Sequence, residues 1–187
     1  MPGRPTRQVS LLTLVMSLSS RLDVQNLLIA HGKTNVPAER RAILNATTVM
    51  LVAHWESFVE CLFEECVKIR YFNLKEDEQA KIAKCTAGRL STPNSHNINV
   101  LFLSVGVANL MGGVGWSNMS SARATKKLDQ LLEARHFIAH GQRTWRTNKY
   151  PTKRQVEQWI CFVETLSNAV SKHATECCGN KALEHGF

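Results

Sequence analysis

The chain has 187 residues, 20% of them charged, with a formal net charge of +8 at neutral pH and a pI near 9.4. That length holds one domain with a real core and would cramp two. The positive excess favours an acidic partner such as RNA, and no run approaches the roughly 18 apolar residues that a membrane span needs, so a membrane is not expected among the partners.

In chain order, residues 1–9 read as a disordered N-terminus. Arg4 and Arg7 precede the apolar run from Val9 to Met16, which superficially resembles a short signal peptide. The cleavage pattern is poor, and Leu11, Val15, Leu18, Leu22 and Ile29 continue a helical stripe past any cleavage point. The expectation is therefore an amphipathic helix from about Ser10 to Ala30, ending at Gly32. Pro37 suits the first turn of the next helix, and from Ala38 to Tyr71 there is neither Gly nor Pro. Val49, Val52, Trp55 or Glu56, Val59, Leu62 or Phe63, Cys66 and Ile69 recur there at helical spacing, which predicts a long central helix.

A shorter helix is expected from about Lys75 to Ala87, halted by Gly88, and Ser91 to Asn97 reads as a polar loop around Pro93. The segment Ile98 to Met111 has strand composition as well as helix length. Gly112-Gly113-Val114-Gly115 lacks a following Gly-Lys-Ser/Thr and a clear preceding strand, so it is read as a flexible connection and not a phosphate cradle. Ser120 or Ser121 can cap a helix from about Ala122 to His140. Thr152-Lys153-Arg154-Gln155 has the form of a capping box, opening a last helix whose Val156, Trp159, Ile160, Val163, Leu166 and Val170 make an apolar face until Gly179. The expectation is an all-α, single-domain bundle of about five helices over residues 10–179, with 180–187 as a C-terminal tail.

Chemistry concentrates at the end of the Ala122–His140 helix. At 100° per residue, Leu128, Leu131, Leu132, Ile138 and Ala139 share one sector, and Arg135 falls in its middle. A guanidinium there needs an anionic partner or a cleft that binds an anion. Glu56 of the central helix is the preferred carboxylate, while His54 and Glu60 read as solvated or hydrogen-bonded and Trp55 and Phe58 as core. A second sector holds only Asp129, Glu133, His136 and His140, spaced so that neighbours touch. Beyond it, Arg143, Arg146, Lys149, Lys153 and Arg154 are interleaved with Trp145 and Tyr150, with no Asp or Glu between Glu133 and Glu157. Cations mixed with stackable rings suit single-stranded RNA, and a solvated basic loop explains them equally well.

The cysteines Cys61, Cys66, Cys85, Cys161, Cys177 and Cys178 form no Cys-x-x-Cys pair and no zinc spacing. They read as reduced thiols, several at apolar helical positions, which implies a reducing, cytoplasmic setting.

Arg135-His136-Phe137-Ile138-Ala139-His140 resembles the signature of the HEPN superfamily, an Arg followed at once by a polar residue and, after a short spacer, by a His. Its flanks Leu128-Asp129-Gln130-Leu131-Leu132 and His140-Gly141, with upstream Ala53-His54-Trp55-Glu56-Ser57-Phe58, resemble the RiboL-PSP branch, and the similarity covers roughly residues 35–175. The resemblance tips Ile98–Met111 towards a helix, with Asn97 as its cap. It implies a metal-independent endoribonuclease, needing no cofactor, that works as a homodimer whose two motif helices meet in one cleft. His140 would then serve as general base or acid, Arg135 would bind the scissile phosphate, and His136 would orient phosphate or water. Asp129 and Glu133 would tune the imidazoles, although plain helix solubility accounts for them too. The products would be a 2′,3′-cyclic phosphate and a 5′-OH. The family also suggests a prokaryotic defence or toxin nuclease with an antitoxin or regulatory protein as partner. Three rival readings stand beside this one. His136 and His140 at i,i+4 suit a metal, although no third ligand is evident. Some relatives bind RNA, a nucleotide or a protein without catalysis. A purely structural bundle would explain the periodicity but leave Arg135 without purpose.

Overall fold

The computed structural model describes residues 21–23, 26, 29, 37–87, 92–140 and 150–184. The described residues are all-α: helix α1 (Pro37–Arg70), α2 (Glu76–Ala87), α3 (Ser95–Leu103), a 3-10 turn (Leu110–Gly113), α4 (Ser121–His140) and α5 (Lys153–Glu184). Residues 21–23, 26 and 29 are also helical, and Leu22 and Ile29 are buried, as their stripe requires. The remaining expectations for the N-terminal segment, including Leu11, Val15 and Leu18, fall outside the described residues.

Helix α1 is the axle. It begins at Pro37, whose missing N–H costs nothing in a first turn, and α2, α4 and α5 all pack on it. Its buried face is wide: Leu51, Val52, Trp55, Val59, Leu62 and Phe63 are fully buried. The pattern's ambiguities resolve in favour of the apolar partner, Trp55 going into the core while Glu56 stays half-buried. Trp55 stacks on Phe58 at 5.6 Å between centroids, and its indole N–H donates to the Pro93 carbonyl at 3.1 Å, tying α1 to the segment that leads into α3. The turn after α1 is held by the Gln79 side-chain amide, which donates to the carbonyls of Tyr71 at 2.7 Å and Leu74 at 3.0 Å.

The Ile98–Met111 helix is corrected in two ways. It begins earlier, because Asn94 and not Asn97 is the cap: the Asn94 side-chain oxygen accepts from the Asn97 N–H at 2.8 Å. It also stops sooner, at Leu103. Gly106 takes a left-handed φ of 82°, its N–H bonds the Leu103 carbonyl at 2.9 Å, and the Val107 N–H bonds the Phe102 carbonyl at 3.0 Å. This is the Schellman pattern, which consumes the orphan carbonyls and turns the chain.

The glycines that follow are not a loose tether. Leu110–Gly113 forms the 3-10 turn, fastened by Asn99, whose side chain accepts from the Met111 N–H at 2.8 Å and donates to Asn109 Oδ1 at 3.1 Å. A Cβ at Gly112 would collide with the Asn109 side chain, and one at Gly113 with the His173 ring. Glycine suits this close approach, since a larger residue would have to displace those two side chains.

Ser120, of the two serines, caps α4 by accepting from the Arg123 N–H at 3.4 Å. The capping box of α5 forms in both directions, Gln155 Oε1 accepting from the Thr152 N–H at 3.2 Å and Thr152 Oγ1 from the Gln155 N–H at 3.3 Å. All six residues of its predicted apolar face are buried. The helix does not end at Gly179 but continues to Glu184, because one interior glycine costs a helix only about 1 kcal/mol. The described cysteines are free thiols: Cys66 and Cys178 are buried, while Cys85 and Cys161 are exposed. No described helix is long and apolar enough to cross a membrane.

Phe63 lies at the centre of this packing, fully buried and edge-on to Phe102 at 5.6 Å. Phe63→Ala should lower stability by about 3–5 kcal/mol in urea unfolding with little change in denaturant slope, the cost of a cavity that rigid helices cannot close.

Candidate functional site

The site is built on the last two turns of α4. Its inner row, Ala124, Leu128, Leu131, Leu132 and Ala134, is buried. The stripe expected from the sequence departs from this at its end: Ile138 is only half-buried and Ala139 is exposed, while Ala134 goes inside. The end of α4 therefore rises out of the core, and Arg135 marks the transition.

Arg135 is half-buried on the side that packs against α1. Its charge reaches Glu56, the carboxylate chosen from the sequence. Partial burial pushes the Glu56 carboxyl above its ordinary range, the Arg135 cation pulls it back, and Glu60 pushes it up again. The two side chains thus belong to one electrostatic unit bridging α1 and α4. An arginine can sit in such a place because its methylenes pack against apolar neighbours while its guanidinium stays at the edge.

His136 and His140 occupy the other side of the helix, and both are exposed. One turn apart, their rings lie 4.4 Å from centroid to centroid, so one small anion can meet both. Positions five apart on a helix diverge by about 140°, which separates the Arg135 side chain from the His140 side chain within a single chain. Asp129 and Glu133 lie along the histidine edge and are largely exposed. Asp129 is pushed up by partial burial and by the neighbouring Glu133 carboxylate. His54, half-buried on α1, is pushed down by burial and by Arg21.

Of the expected RNA-contacting residues, Arg143, Trp145, Arg146 and Lys149 fall outside the described residues. Lys153 and Arg154 are exposed in the first turn of α5, and Lys153 lies 3.7 Å from Glu157. Tyr150 is brought back to the motif helix, its ring meeting Phe137 at 5.6 Å and an interplanar angle of 62°. Over that ring, 4.7 Å from its centroid, lies the guanidinium of Arg41 near the start of α1. The sequence reading missed Arg41. Nothing local could have marked it, because its partner lies at the far end of the chain.

Hollows among the described residues lie elsewhere. One of about 940 Å³ between α1 and α2 is lined by Glu60, Glu64, Phe72 and Ala83, and one of about 590 Å³ by Trp116, Lys127, Arg154 and Phe162. Neither contains Arg135, His136 or His140 among its lining residues. Among the described residues no group of three or more His, Cys, Asp or Glu side chains is placed to hold a metal ion.

The described residues are all-α, as a HEPN-type domain is. The model of the RiboL-PSP-HEPN family matches residues 17–176, and the chain belongs to that family. Comparison with curated proteins and with solved structures gave no match.

The pairing of Arg135 with Glu56 can be read directly. With the cation removed in Arg135→Ala, burial and Glu60 act on the Glu56 carboxyl unopposed, so its NMR titration midpoint should move up. The sign follows for folding: a carboxyl held above its unfolded value binds its proton more tightly when folded, so stability falls as pH rises through that window, further in the variant. A Glu56 midpoint unmoved by Arg135→Ala would show that the two groups do not interact.

Proposed function

We propose that the protein is a metal-independent endoribonuclease that cleaves RNA by attack of the 2′-OH on the adjacent phosphate. The observation that carries this reading is the division of labour around one helix end: Arg135 half-buried within electrostatic reach of Glu56, and the exposed His136 and His140 rings 4.4 Å apart. Membership of the RiboL-PSP-HEPN family supports it, since HEPN domains are often ribonucleases.

RNA brings its own nucleophile, so the protein needs only to move protons and to stabilise the charge that builds on the phosphate. His140 takes the proton from the 2′-OH or delivers one to the leaving 5′-oxygen, because imidazoles exchange protons near neutrality. Arg135 offsets the charge of the pentavalent phosphorane. His136 orients the phosphate. The products are a 2′,3′-cyclic phosphate and a 5′-OH.

The divergence of Arg135 from His140 supports a homodimer, in which the arginine of one subunit meets the histidine of the other at one phosphate. The setting we infer is the cytoplasm of a prokaryote, where such an activity acts as a toxin or defence nuclease and a protein antitoxin restrains it.

In EDTA, His140→Ala and Arg135→Ala should each cut RNA at least about 100-fold more slowly than wild type. Equal rates for wild type and His140→Ala would remove the assignment. Mixing the two inactive variants tests the shared cleft. Random exchange makes half the dimers mixed, each with one whole site of two, so about a quarter of wild-type activity should return. No recovery would place Arg and His of one subunit together.

A further inference from the structure

We propose that Tyr150, braced by Arg41 and Phe137, is a stacking seat for one nucleobase of single-stranded RNA, directly beside the phosphate-handling histidines. The proposal rests on the nuclease reading for its purpose but not for its test.

Three elements far apart in sequence converge to build this seat. Phe137 follows His136 in α4 and lies one turn before His140, so whatever touches Phe137 adjoins the histidine pair. Tyr150 meets Phe137 edge to face at 5.6 Å, which fixes the ring where the chain returns towards α5. Arg41, from the first turns of α1, covers the Tyr150 ring at 4.7 Å. Despite this bracing Tyr150 remains 44% exposed, one of few large rings so open. A tyrosine used only as a peg between helices would be buried deeper, as Trp55 and Phe63 are.

With Arg41 and Phe137 against it, the Tyr150 ring still keeps 44% of its surface open, and nucleobases stack on exposed aromatic surface whatever their identity. Arg41 is exposed, and no ion pair links it to a carboxylate among the described residues. Its charge therefore stands beside the seat, where the backbone of a strand bound there passes. Stacking of this kind needs an unpaired base, so the seat selects single strands and loops over duplex.

The experiment uses the full chain and a fluorescent 2′-O-methyl RNA strand, which lacks the 2′-OH and cannot be cut. A single abasic residue is walked along the strand, and binding is followed by anisotropy. Tyr150→Ala should weaken binding of the intact strand roughly ten-fold. At one abasic position wild type should suffer the same loss, and Tyr150→Ala no further loss. Tyr150→Phe, which keeps the ring, should bind as wild type, and Arg41→Gln should weaken binding with a shallower salt dependence. Equal effects of Tyr150→Ala on intact and abasic strands, or none, would overturn the seat. If Tyr150→Ala lowers the melting temperature sharply, Tyr150→Leu carries the same comparison. Because nothing is cut in this assay, a wild type that shows the coupling yet leaves ordinary RNA intact counts against the nuclease and not against the seat.

Discussion

A guanidinium placed at the margin of an apolar row is the constraint on which the arrangement turns. Arg135 follows a buried Ala134 and precedes an exposed His136, so α4 cannot sink its last turns into the core without stranding a cation. The helix therefore runs out to the surface, and the two imidazoles that follow are carried into solvent with it. Glu56 completes the compromise from α1. Its own partial burial is unfavourable, and the nearby cation offsets part of that cost.

The rest of the fold serves this edge by making α1 rigid. Fully buried Trp55, Val59, Leu62 and Phe63 hold it from one side, and the α5 face from Val156 to Val170 holds it from another. Within such a frame, the position of Glu56 relative to Arg135 is set by packing. Exposed or half-exposed charges contribute little stability, so the unit reads as one kept for its charge pattern.

Much of this was legible in the sequence because helical periodicity and capping are local. The long central helix, the face of α5 and its capping box could all be read from spacing. The misreadings have a common physical source: glycine and asparagine act according to what surrounds them. Gly106 ends a helix because its left-handed backbone completes a Schellman turn, Gly179 does not end one, and Gly112 and Gly113 are packed where a tether was expected. Asn94 took the capping role assigned to Asn97. Arg41 was invisible for a different reason, since its neighbour Tyr150 belongs to the other end of the chain.

The route of the backbone around Tyr150 carries an evolutionary consequence. The chain leaves α4 at His140 and is gripped again at Tyr150, whose ring is clamped to the same helix through Phe137. His140 and Tyr150 are thus both tied to α4, and the entropic cost of bringing two such points together changes only slowly with the length of chain between them. The number of residues between them can change while the end of α4 stays where it is. The length of that connection and the placing of the histidines are in this way separable.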